Sequence, residues 1–485
     1  MEILNKTIKK LTEEQYQELI SLVAGKKKNK PFMVLETSRT RDIDDSEMME
    51  MLQVNPSAYY TLKSRLNTKI ASILSKNVQS PVNILMQEVS KAPAHLMGTN
   101  REFSIRSLID LEKQLIEYDL SSELIVVYKT LAQLHLYTDD FNHYENLYKK
   151  HVAFALAVAK AEGLFNQFMR KMGIYLLTFE QEALEEIVVI KRELSNICEM
   201  YDSHRLFVIY SIVNTCYQCN VLEKRQSLKS KELEIEETLK KITSIFEKYT
   251  QDTYYQNIRF VVDFLYFEYY SKTGNTVRAE YYCEKIKPGI SELCTRHIHN
   301  FYLVQFLNSK IEKFLIDNSA DALSDQTETL QTSVEIDGNE VFHYVSFKKF
   351  IAVSKFYQKD FSGAARTINE LRNTMSLKKY LFTDVECKLF QALQYCILGE
   401  DSLCLQIISS LKRQIKENEA EWQSTRIFLK LLKSALKPAD YRKKIKRITD
   451  LWDEFNVRNN GSHPVLSFVK LDEALIRRMA NPIKE

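Results

Sequence analysis

Cys216 and Cys219, in the run TCYQCN, stand three residues apart, the spacing of half a zinc knuckle or of a dithiol redox pair. Zinc needs four ligands, and no second C-x-x-C or neighbouring histidine pair completes the set. A thioredoxin-type pair needs a strand ahead of it, which the surrounding helical pattern does not offer. Both cysteines therefore read as small residues buried in a helix. Cys294, His297 and His299 fail as a metal set for a related reason: helix positions two apart diverge, and no fourth ligand follows. The chain contains no phosphate-cradling glycine loop, nucleophile elbow or H-E-x-x-H pair. Acidic pairs such as Glu182 with Glu185, or Glu236 with Glu237, fall on charged faces of the kind that keep helices in water. With no catalytic constellation assembled, the expectation is a non-enzymatic protein that needs no metal or cofactor.

Polar chemistry does gather in one place, between residues 51 and 70 (MLQVNPSAYYTLKSRLNTKI). On a helix over 56–76, Tyr59, Leu62, Leu66, Ile70 and Ile73 share one face. Ser57, Tyr60, Ser64, Asn67 and Thr68 share the other, flanked by Thr61 and Lys63, with Arg65 at the edge. A face that is polar at its centre and basic at its rim suits groove reading, where hydrogen-bonding groups meet base edges and cations meet phosphates. The candidate DNA-contacting residues are thus Asn55, Ser57, Tyr60, Thr61, Lys63, Ser64 and Arg65. Ser57, Tyr60 and Ser64 would read, and Lys63 would position. Residues 1–80 hold 13 Lys/Arg against 10 Asp/Glu, which accounts for the whole net charge of +3. A second basic strip, YRKKIKR at 441–447, continues into Ile448, Leu451, Trp452 and Phe455, and reads first as an amphipathic structural helix.

The elements that must hold these residues follow from caps and breakers. Thr12 with Gln15 forms a capping box for a helix that Gly25 closes; a basic loop follows, Lys26 to Lys30. Pro31 suits the first turn of a second helix, Asp44 and Asp45 cap a short third one, and Asn55 with Pro56 begins a fourth. Across the chain, 10 Gly and 8 Pro in 485 residues are far too few for a turn-rich β or doubly wound fold, so the expected class is all-α. Ile235, Leu239, Ile242 and Phe246 mark one amphipathic helix, and the almost wholly apolar run Phe260 to Tyr270 marks a buried one. No long uninterrupted apolar run or signal peptide is evident, so no membrane partner and a cytoplasmic location are expected.

From Phe103 a pattern recurs in which an aromatic-rich helix, a short polar turn and a second helix follow one another, at 131–150, 264–286, 350–371 and 389–411. In the third copy Ala352, Tyr357, Phe361 and Ala364 resemble the small and aromatic positions of a tetratricopeptide repeat. The Trp-Leu-Gly triplet and terminal proline of that family are absent, and the last two copies lie 39 residues apart. The resemblance implies a degenerate tetratricopeptide-like α-solenoid over 103–455, binding a protein or peptide in its concave face. It is preceded by a helix-turn-helix-like module over 1–76 and a connector over 77–102. An acidic insertion near 317–340 interrupts it, and a capping helix within 456–485 ends it.

Leu52, Gln53, Val54 and Asn55, followed by LKSRL at 62–66, resemble the turn and recognition helix of the promoter-reading region of RNA-polymerase sigma factors. Gln53 stands where that family has glycine, and KSRL comes about three residues late. In architecture, such a module joined to such an array resembles the peptide-sensing bacterial regulators, which act as dimers. Two functions remain open at this point: a transcription regulator contacting double-stranded DNA, or a protein scaffold with no nucleic-acid contact.

Overall fold

In the computed structural model the described residues are 4, 7–8, 11, 13–23, 29–41, 43–76, 81–98, 100–221, 231–287, 300–317, 323, 338–416, 422–459 and 464–482, and every regular element among them is helical. Cα packing divides the chain into two compact units, Met1–Glu145 with Thr250–Gln256, and Asn146–Tyr249 with Asn257–Glu485. No described helix is long and apolar enough to cross a membrane.

The first unit begins with α1 (Glu13–Val23), α2 (Lys30–Thr40), α3 (Asp45–Leu52) and α4 (Pro56–Lys76). The starts of α2, α3 and α4 each have a chemical cause. Asn29 accepts from the Phe32 amide at the head of α2, with proline in that first turn; Asp44 accepts from Glu47 at α3; Asn55 accepts from Ala58 at 2.8 Å at α4. The capping pair Thr12/Gln15 and the Gly25 stop involve Thr12 and Gly25, and the basic loop involves Lys26 to Lys28, all outside the described residues. Leu19, Val34, Leu35, Met48 and Tyr59 form the dry centre of one apolar cluster, joined by Leu66, Ile70 and Ile73 of α4.

Between α3 and α4 lies a three-residue turn whose first residue, Gln53, adopts φ 50° and ψ 56°. That is the left-handed region, which costs a residue with a Cβ about 1–2 kcal/mol and glycine almost nothing. The conformation lets the Gln53 and Val54 amides return to the carbonyls of Glu50 and Met49. Gln53→Gly is therefore expected to stabilise this unit by about 1 kcal/mol, less the added freedom of the unfolded chain. A denaturant midpoint that falls on this substitution would contradict the assigned turn. The unit continues through α5 (Pro81–Lys91), a 3-10 turn (Ala92–Met97), α6 (Arg101–Glu117) and α7 (Ser121–Leu134).

Helix α8 (Phe141–Thr178) runs 38 residues without a break. The chain then alternates helices: α9 (Gln181–Met200), α10 (His204–Val221), α11 (Glu232–Lys248), α12 (Thr253–Thr273), α13 (Thr276–Ile286) and α14 (Asn300–Asp317), all in the second unit but for the first four residues of α12. After residues 318–337, of which Leu323 alone is described, come α15 (Val341–Tyr357), α16 (Phe361–Thr374), a 3-10 turn (Leu377–Lys379), α17 (Leu381–Leu398), α18 (Asp401–Gln414), α19 (Gln423–Leu436), α20 (Tyr441–Arg458) and α21 (Glu473–Ala480). The acidic stretch expected as an insertion lies mostly outside the described residues. Within the C-terminal stretch expected to form a capping helix, residues 465–468 form turns and a helix begins only at Glu473, capped by Asp472.

Hairpins stand at three of the four recurring stretches, α12/α13, α15/α16 and α17/α18. Their bends use the left-handed conformation at Gly274, Lys359 and Gly399 respectively. In the middle hairpin Asp360 accepts from the Gly363 amide at 2.8 Å, and a Cβ at Gly363 would stand 1.9 Å from that carboxylate, so only glycine keeps the cap. Ala364 is fully buried, and Phe356, Phe390 and Phe468 fill the layer between hairpins. Ile235, Leu239, Ile242 and Phe246 are all buried on α11, and Val261 to Tyr270 lies inside along α12 except at half-buried Asp263.

Candidate functional site

The inner face of α4 is closed: Tyr59, Leu66, Ile70 and Ile73 are at most 3% exposed and Leu62 packs on the same cluster. Its outer face is open. Asn55, Ser57, Tyr60, Thr61, Ser64 and Arg65 are all exposed, as are Asn67 and Thr68. The carboxamide of Asn55 is engaged by the cap, and the hydroxyls of Thr61 and Thr68 donate to the Ser57 and Ser64 carbonyls, so Ser57, Tyr60 and Ser64 present the groups best placed to meet a partner.

Lys63 has a different position from the one its sequence neighbours suggest. Its ammonium is half-buried, 3.2 Å from Asp45, and Tyr59 Oη donates to the same carboxylate at 2.9 Å. Burial works against a charged Asp45, but these two donors outweigh it and hold the carboxyl below its usual range. The same burial, with the bond to Asp45, pushes the Tyr59 phenol well up. Lys63 thus fastens α4 to α3, and Lys69 donates to the Leu22 carbonyl at the end of α1. On the exposed face Arg65 is left as the outward cation.

The second unit holds a different kind of site. A cavity of about 240 Å³ is lined by Asn220, Lys272, Glu312, Lys349, Glu386 and, on its apolar side, Phe342 and Phe468. Beside it lies Glu268, 2% exposed on the inner helix α12. Burial raises its pKa to about 7, against the pull of Lys272 and the hydrogen bond from Asn220. Asn220 is shared: it donates to Glu268 at 2.9 Å and accepts from Lys272 at 3.1 Å. Lys272 also lies 3.7 Å from Glu312, whose second oxygen is buried and accepts no hydrogen bond among the described residues. Lys349 pairs with Glu386 at 2.7 Å, and Glu386 accepts the Leu466 amide. No catalytic residue was expected here. The available signal was a single carboxylate inside the apolar run FLYFEYY.

Cys216 and Cys219 are fully buried on α10, and burial, with Glu268 nearby, holds both thiols in the protonated form. Cys294, His297 and His299 lie outside the described residues. Among those described, no three His, Cys, Asp or Glu side chains gather as a metal site. No protein-family model, curated protein or solved structure matches the chain.

Proposed function

We propose that the chain is a non-enzymatic regulator whose N-terminal helices contact double-stranded DNA and whose helical hairpins take up a peptide or protein partner. The observation that carries the reading is the open outer face of α4, with its inner face closed and a three-residue turn before it. Helices α2 to α4 would then act as a helix-turn-helix-like module of the sigma-factor type. Ser57, Tyr60 and Ser64 would face base edges, with Thr61 flanking them, and Arg65 a phosphate. The hairpins would form a tetratricopeptide-like array, and two copies of the chain would match a palindromic site.

The test is selection from a random duplex library. The wild-type chain should enrich a consensus, and Tyr60→Ala with Arg65→Glu should lower affinity for it about 100-fold without loss of helicity. A library that returns no consensus would end this reading. The engagement of Lys63 and Lys69 inside the module favours a second one, a scaffold in which the α4 face meets protein. In that case Tyr60→Ala should weaken partner capture and leave duplex affinity unchanged.

A further inference from the structure

Between Lys412 and Arg447 the sequence carries twelve Lys/Arg and four Asp/Glu, in a chain whose net charge is only +3. Three of those four acids fall in 417–421, outside the described residues; the fourth, Asp440, accepts the Lys443 amide as the cap of α20. The structure shows how the cations are arranged. Helix α19 buries Ile427, Phe428, Leu431, Leu432 and Ala435, which turns Arg426, Lys430, Lys433 and, at its cap, Lys437 to the other side. Spacings of four, three and four residues make this a single stripe ~16 Å long.

Helix α20 packs against α19 through Ile448, Leu451, Trp452 and Phe455, and its first turns turn Arg442, Lys443, Lys446 and Arg447 outward. From the end of α18, Lys412 reaches Lys433. The contact of the two ammonium groups pulls Lys433 below the usual lysine range. Elsewhere in the unit outward lysines find acids, as Lys348 does Glu370 and Lys285 does Asp263. Here Lys412, Lys430, Lys433 and Lys437 form no ion pair among the described residues, nor do the four outward cations of α20.

Like charges held together with no ion pair for these eight cations among the described residues raise a positive potential that an external polyanion relieves. Two rows of cations call for a partner with repeated charges. A membrane-surface helix would add exposed apolar residues, and a single-strand site would add stacking aromatics. Among the described residues from Lys412 to Arg447, Tyr441 is the one large apolar or aromatic side chain that is exposed.

We propose that the outward faces of α19 and α20 bind the phosphate backbone of double-stranded nucleic acid, independently of base sequence. This surface is separate from the α4 face and does not require that face to read DNA. The experiment uses the full chain carrying Tyr60→Ala and Arg65→Glu, which removes the α4 contribution, and a duplex of scrambled sequence. Titrated over a range of salt, this protein should still bind. Adding Lys430→Gln, Lys433→Gln and Lys446→Gln should lower low-salt affinity at least ~10-fold and reduce the slope of log affinity against log salt by about 3.

Circular dichroism melts should coincide, since all three residues are on the surface. Unchanged affinity and slope would overturn the proposal. So would equal capture by polyglutamate, or by phosphatidylserine-containing vesicles, because either would reassign the surface to an acidic protein or a membrane.

Discussion

Lys272→Met is expected to destabilise the second unit by about 1.4 kcal/mol more at pH 8 than at pH 5, and Glu268→Gln added to it to remove that difference. Glu268 sits in an apolar layer with Lys272 at 3.9 Å and Asn220 as its hydrogen-bond donor. Removing the cation leaves a carboxylate that water cannot reach. The sign with pH follows from the raised pKa of about 7. The folded state holds the proton over a range where the unfolded chain, near 4.5, has released it, so stability falls as pH rises between those values. Without Lys272 the folded pKa climbs further and the window widens upward. The cost of Lys272→Met should therefore shrink as pH falls toward ~7 and stay level below it, where Glu268 holds its proton with or without the lysine. Urea titrations at several pH values measure this directly; a cost independent of pH would mean that lost packing, not the buried charge, is responsible.

Phe390→Ala should cost about 3–5 kcal/mol, the range for a large aromatic removed from a close-packed interior. Phe390 is 1% exposed and meets Phe356 and Phe468 edge-on, with ring centroids 5.6 and 5.1 Å away. Phe356 belongs to α15 and Phe390 to α17, so the ring fills space between successive hairpins rather than within one. Phe390→Leu keeps much of the volume and should lose less than half as much. Chemical denaturation of the full chain at unchanged slope gives both values. A loss below ~1 kcal/mol would show that the layer closes around the gap and that the aromatic stack is not what joins the hairpins.

The all-helical class was legible because scarcity of glycine and proline is a property of the whole chain. Caps at Asp44, Asn55 and Pro56 were legible because they act over three or four residues. The face of α4 could be read for the same reason: helical periodicity assigns Tyr59 inward and Tyr60 outward without knowledge of any neighbour.

What escaped depended on distance in sequence. Lys63 looks like a rim cation until Asp45, 18 residues earlier, is placed beside it. The strip at 441–447 reads as a structural helix, which α20 is; its companions Lys412 and Lys433 come from other helices and give no local sign. Glu268 is one letter in an aromatic run, and only the fold reveals that its hydrogen-bond donor, Asn220, comes from α10.

The sharing of Asn220 has a consequence for how the second unit assembles. Its two partners lie 48 and 52 residues further along the chain, so neither bond can form until the intervening loop has been closed at an entropic cost. Aromatic layers give little discrimination against a hairpin stacked one turn out of place, because one ring can substitute for another. A slipped α12 would carry Glu268 and Lys272 together away from Asn220 and Glu312, and leave buried polar groups without their partners from other helices. The knot of charge therefore works as a late check on alignment, penalising misassembled stacks that hydrophobic collapse alone would tolerate.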